Sequence, residues 1–217
     1  MLKLGKTNDT PIVTLNPYEY EGFRFYNSAV DALSLSKNVS KHDFFISYIE
    51  YKDIITATLN ISRTTDDDDL ENIISVKIYE ELSLDPAIDY KIVYFESKVN
   101  TEERIFNVFI IANETINKIF KNISKRVSFI DYVAVEPLLY GAIYKKGLFP
   151  STQTDCFLTI RADEAFVSIY VNGEYLTSRS IRYTLNYLRD KFVEQSGERI
   201  SSDKFADILK TFMSPSE

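Results

Sequence analysis

Two hydrophobic periods alternate along the chain. Ile88, Tyr90, Ile92 and Tyr94 recur at every second position, which predicts a strand over Ile88–Glu96 with those four residues on one face. Arg104–Ala112 is almost continuously apolar, the pattern of a central strand. Between such runs the period lengthens to that of a helix. Leu70, Ile73, Ile74, Ile78 and Leu82 predict a helix over about Asp66–Ser83, ended by Pro86. Asn113 is read as the cap of a second helix carrying Ile116, Ile119, Phe120 and Ile123. Pro137 suits the first turn of a third, with Leu138, Leu139, Ala142 and Ile143, stopped by Gly147.

The flanks fill in the order. Short strands are expected at Ile12–Leu15 and Gly22–Tyr26, before a Ser/Asn-rich stretch at Ser34–Ser40. Phe44–Tyr51 and Ile54–Ile61, rich in Ile, Tyr, Phe and Thr, read as a hairpin turned at Lys52-Asp53. Asn100–Glu103 connects two strands, and Val127–Val133 is a further one. Pro150 sits in a polar linker, Phe149–Asp155. Beyond it come three consecutive strands, Cys156–Ile160, Ala165–Val171 and Glu174–Ser180. Asn172-Gly173 marks a tight hairpin between the last two. Helices at Ile181–Gln195 and Ser202–Phe212 close the chain, the latter capped by Ser201 or Ser202. The change from alternating β/α units to consecutive strands predicts an α/β protein of two lobes, residues 1–150 and 151–217.

Composition narrows the function classes. At 217 residues the chain buries roughly 70% of its unfolded surface and needs no disulfide or metal to fold. Its formal net charge of −7 disfavours nucleic acid and anionic lipid as partners. No apolar run approaches the roughly 20 residues of a membrane span, and Met1–Lys6 lacks the apolar segment of a secretory signal. A cytoplasmic protein is expected, with Ser214–Glu217 as a trailing linker toward a longer chain. Cys156 is the one cysteine and His42 the one histidine, which excludes a disulfide within the chain and a His/Cys zinc cluster. They are read as a buried structural cysteine and an exposed histidine.

The six glycines fall at 5, 22, 141, 147, 173 and 197, so neither a dinucleotide-binding loop nor a Walker loop can be built. No Asp is followed two residues later by Gly. The run Asp66–Asp69 lacks the spacing and central glycine of a calcium loop. It is read as the first turn of a helix capped by Thr65, where the dipole favours acids. Lys118, Lys121, Lys125 and Arg126 complement the other end of a helix. No metal and no cofactor is expected.

The order of elements and several segments resemble a known superfamily. Leu158–Ala165 followed by Asn172-Gly173 and Ser178-Arg179-Ser180-Ile181 looks like the opening of the second lobe in actin-like ATPases. More narrowly, it is similar to PilM-type pilus-assembly proteins, MshI-type proteins and the cytoplasmic part of GspL-type secretion proteins. In the first lobe Leu70–Leu82, Asp89–Val93 and Ile130–Leu138 resemble a helix, a strand and a strand-to-helix return of those proteins. The likeness spans about residues 44–210. It implies an actin-like (ribonuclease H-like) two-lobed fold, truncated in the second lobe, with an inserted α/β module at about residues 62–126.

The same resemblance implies a function. It is that of a non-catalytic scaffold peripheral to the inner membrane, serving a type IV pilus or type II secretion assembly platform. The partners it implies are the cytoplasmic tail of a bitopic PilN-type membrane protein and the assembly ATPase, and a homodimer is a further expectation. Tyr90 and Tyr94, which share a strand face, are the candidate lining of a peptide groove in the inserted module. The alternative is a nucleotide-binding actin-like ATPase or kinase-like enzyme. Against it, Arg161, Ala162, Asp163 and Glu164 occupy the turn where that superfamily places a phosphate-contacting glycine. Side chains there keep backbone N–H groups away from phosphate, and two carboxylates repel it.

Overall fold

The computed structural model describes residues 10–27, 29–34, 40, 42–97 and 103–213. The readings of Met1–Lys6 and Ser214–Glu217 lie outside these residues, as do most of those for Ser34–Ser40 and Asn100–Glu103. The chain divides into two compact units, Met1–Leu139 and Tyr140–Glu217.

The first unit holds two sheets. One has five strands: β1 (Ile12–Asn16), β2 (Glu21–Tyr26), β3 (Ala29–Ser34), β4 (Phe44–Ile49) and β8 (Tyr132–Val135), in the order β3-β2-β1-β4-β8. The β1–β2 and β2–β3 pairs are antiparallel, whereas β1–β4 and β4–β8 are parallel. The other sheet is antiparallel, in the order β5-β7-β6, from β5 (Ile55–Ile61), β6 (Tyr90–Glu96) and β7 (Arg104–Ala112). The nearly continuous apolar run is therefore its central strand, as its pattern requires.

Alternation on β7 feeds two cores. Phe106, Val108 and Ile110 face α1 (Asp67–Leu82), which seats fully buried Ile74 and Ile78 against them and against Leu59 and Ile61 of β5. Ile111 joins the other core, formed by Val13, Leu15, Phe45 and Ile49 with Phe120 of α2 (Asn113–Phe120), Ile123 and Val127.

Three local expectations are corrected. Phe44–Tyr51 and Ile54–Ile61 do not pair as a hairpin, because β4 joins β1 and β8 while β5 joins β7. The 3-10 turn Tyr51–Asp53 carries the chain from one sheet to the other. It is pinned by buried Glu136 of α3 (Glu136–Leu139), whose carboxylate accepts the Tyr51 N–H at 3.0 Å. The α1 cap is Asp66 rather than Thr65, and Asp67 reaches Arg104 at 2.7 Å. Asn113 is the first residue of α2 rather than its cap, and its side chain donates to Asp89 at 2.5 Å.

The second unit is a three-stranded antiparallel meander, order β11-β10-β9, from β9 (Thr154–Ile160), β10 (Ala165–Val171) and β11 (Glu174–Ser180). Asn172 and Gly173 both have positive φ, 54° and 77°, the geometry that Asn-Gly supplies to a two-residue hairpin. A Cβ on Gly173 would lie 2.9 Å from the Ser151 Cβ. Residues 140–150 fold with this unit. Tyr144 of α4 (Gly141–Lys145) sits edge-on to Phe157 at 6.0 Å and donates to Asp155 at 2.7 Å. Helices α5 (Leu185–Ser196) and α6 (Ser202–Met213) meet through Phe192 and Phe205, 5.8 Å apart. Cys156 lies exposed on β9, which corrects its reading as buried: along that strand its neighbour Phe157 points into the aromatic core.

Two measurements check this packing. Ile78→Ala leaves a void beneath α1 and is expected to lower unfolding free energy by about 2–5 kcal/mol in denaturant titration. Tyr170 is raised well above the ordinary tyrosine range, chiefly by burial, with the Gly141 N–H bond opposing. The unfolded chain releases this proton near pH 10 while the folded chain keeps it. Tyr170 therefore contributes stability fully below about pH 10, and the contribution declines as pH rises further. Denaturant midpoints should fall between pH 9 and pH 11, less steeply in Tyr170→Phe.

Candidate functional site

The first unit carries an apolar groove of about 440 Å³. Its floor is β7, through Phe109 and Ile111. Lys91 and Val93 of β6 lie beside them on the same face of that sheet, opposite Ile111 and Phe109 in the register, and Val133 and Val135 of β8 also line the groove. Ile116 and Phe120 of α2 and the segment Ile123–Ile130 close the remaining side. Residues from 49 to 135 in the sequence converge here, so no local spacing announces the site.

Two features set its chemistry. First, among the described residues β6 and β8 are both edge strands, β6 pairing with β7 and β8 with β4. An edge strand presents backbone donors and acceptors that an extended peptide can take up. Second, the lining is apolar and open. Val93 is 50% exposed and Phe129 53%. Among the described residues Lys91 is the one charged side chain lining it. Lys118, Lys121 and Lys125 stand exposed along α2 and the turn after it. An apolar segment with an acidic flank fits this arrangement in an otherwise acidic chain.

Tyr90 and Tyr94 lie on the opposite face of β6. Tyr90 meets Tyr79 of α1 edge-on at 6.4 Å, and Tyr94 meets Phe106 at 6.0 Å. Both pack half-buried against the core beneath α1, and the groove takes the alternate residues Lys91 and Val93. The strand and its periodicity were legible; which face α1 would cover was not. The telling signal is Val93, an apolar residue at a position that strict alternation would leave polar.

Arg161, Ala162, Asp163 and Glu164 form the turn between β9 and β10 and are engaged with their own surroundings. Arg161 pairs with Glu164 at 2.9 Å. The helix α5 starts against this turn, and its first N–H groups are all accounted for. Leu185 donates to the Arg161 carbonyl and Asn186 to that of Ala162, at 2.9 and 3.2 Å. Tyr187 donates to the Thr184 side chain at 3.1 Å, and Leu188 to the Thr184 carbonyl at 2.9 Å. The Asn186 side chain donates to Asp163 at 2.6 Å. The donors that a helix start offers an anion are thus satisfied within the chain. Among the described residues no group of three or more His, Cys, Asp or Glu is placed to hold a metal ion, and no helix is long and apolar enough to cross a membrane.

Known structures share this architecture. A chain of a PilM-PilN type IV pilus biogenesis complex superposes with a TM-score of 0.61 at 8% identity, covering 94% of this chain and 70% of that one. The cytoplasmic domain of EpsL, an inner membrane component of the type II secretion system of Vibrio cholerae, gives 0.50 at 11% identity, covering 88% and 79%. A Bacteroides thetaiotaomicron protein with an actin-like ATPase fold and unknown function gives 0.48 at 11% identity, covering 96% and 92%. No protein-family model matches the sequence, and neither does any curated protein. The fold is the actin-like one that the sequence resemblance implied, with the β5-β7-β6 sheet and α1 inserted between β4 and β8.

The bonding at the β9–β10 turn yields a direct check. Thr184→Ala removes the side-chain cap of α5 and is expected to cost about 1 kcal/mol, read from the denaturant midpoint.

Proposed function

We propose that this chain is a non-catalytic cytoplasmic scaffold of an inner-membrane assembly platform of the type IV pilus or type II secretion kind. Its groove, lined in part by β6 and β8, receives the cytoplasmic tail of a bitopic, PilN-type membrane protein. The assembly ATPase is the second partner, and the chain is peripheral to the membrane through these contacts. The observation that carries the reading is the groove: an apolar lining to which β6 and β8, edge strands among the described residues, both contribute side chains, and an edge strand holds an extended segment by backbone bonds and alternate side chains. The likeness to a chain of the PilM-PilN complex and to the EpsL cytoplasmic domain supports placing it in such a machine. The internally bonded β9–β10 turn supports a role without nucleotide chemistry.

Calorimetric titration tests this. A synthetic PilN-type cytoplasmic tail is expected to bind saturably in the micromolar range. Val93→Asp, which sets a charge in the groove wall, should weaken binding at least about tenfold, or about 1.4 kcal/mol. Mg-ATP at millimolar concentration should give no saturable heat. Saturable Mg-ATP binding that Asp163→Ala abolishes, with no peptide binding, would overturn the proposal.

A further inference from the structure

The five-stranded sheet is apolar on both faces, and among the described residues one of them leaves six large apolar side chains exposed. Val13, Leu15, Phe45 and Ile49 point into the core under α2. The alternate residues form two rows across the other face, fixed by the strand register. Val30, Phe25, Ile12 and Phe44 lie opposite one another across four strands. Ala32, Phe23, Thr14, Ile46 and Tyr132 form the next row across all five. Six of the seven large residues are exposed, from 40% at Phe25 to 58% at Val30, and Ile46 is half-buried. Neither row holds a charged residue. Arg24 of β2 falls on the other side and pairs with buried Asp43 at 2.6 Å. Glu21, on the same face, sits one row further along, opposite Ser34.

A sheet face that meets water is normally polar at these positions, and one containing parallel strands is normally covered on both sides. We propose that a second copy of this chain covers it, the two sheets packing face to face in an isologous dimer. Size supports that occupant. The six side chains leave on the order of 500 Å² of apolar surface, taking their full areas as roughly 150–250 Å² each. Two copies, with the polar positions around them, bury more than about 1,000 Å², the lower bound of a specific interface. Charge supports it too. With a net charge of −7 two copies repel generally, and this uncharged band lets them meet without setting like charges against each other. A self-complementary patch of this kind closes on itself and does not grow into a filament. The inference is independent of the groove, which β6 and β8 help to line.

Light scattering after size exclusion, with sedimentation velocity across the micromolar range, tests it on the full chain. Wild type is expected at twice the 25.1 kDa chain mass, with a dimer fraction that rises with concentration. Phe25→Ser combined with Phe44→Ser should return it to monomer mass at the same loading. Val30→Lys, a single change at the most exposed of the six positions, should do the same with an unchanged circular-dichroism spectrum. A wild type that is monomeric at every concentration, whether its face is bare or covered by a different protein, overturns the proposal. So does a dimer that Val30→Lys leaves intact.

Discussion

Apart from buried Asn107, strand β7 is apolar on both faces, and much of the first unit follows from that. A strand of this kind cannot border water on either side without exposing Phe, Val and Ile side chains. On one side α1 answers the demand, with Ile74 and Ile78 wholly withdrawn from solvent over Phe106, Val108 and Ile110. On the other side the cover is divided. Ile111 enters the core of the five-stranded sheet beneath Phe120 and Ile123. Phe109, two residues back, is buried beside Val93 of β6 and lines the groove together with Val133 and Val135 of β8. The groove lies over this face, with Phe109 and Ile111 themselves buried and the exposed apolar surface at Val93 and Phe129.

What the sequence made legible was local or strongly patterned. The apolar run of β7 reads as a central strand, and Asn172-Gly173 reads as a tight turn because only residues that tolerate positive φ form one there. What it concealed was pairing at a distance. Phe44–Ile49 and Ile55–Ile61 are adjacent, β-rich and separated by a turn, yet each finds a longer-range partner because β4 has two parallel neighbours to satisfy. Tyr90 and Tyr94 show the same limit. Their spacing gives their common face, but only the position of α1 decides whether that face is core or groove. The third strand, β3, carries Val30 and Ala32 in a short stretch with no strong pattern of its own.

The β9–β10 turn is bonded to residues of its own unit. The superfamily resemblance places a glycine turn here, where backbone N–H groups face phosphate. In this chain the adjoining helix start turns its N–H groups onto the carbonyls of Arg161 and Ala162 and onto Thr184. Asp163 holds the Asn186 side chain, and Glu164 holds Arg161. These bonds make the turn a joint between β9, β10 and α5. The proposed binding surface lies elsewhere, at β6 and β8, which end their sheets among the described residues.

Amide hydrogen exchange tests that assignment most directly. With a PilN-type tail peptide at saturating concentration, the account predicts slowed exchange in Tyr90–Glu96 and Tyr132–Val135, the two strands that border the groove, and none at Arg161–Glu164. Protection confined to the β9–β10 turn, or elicited by Mg-ATP and not by the peptide, would contradict it.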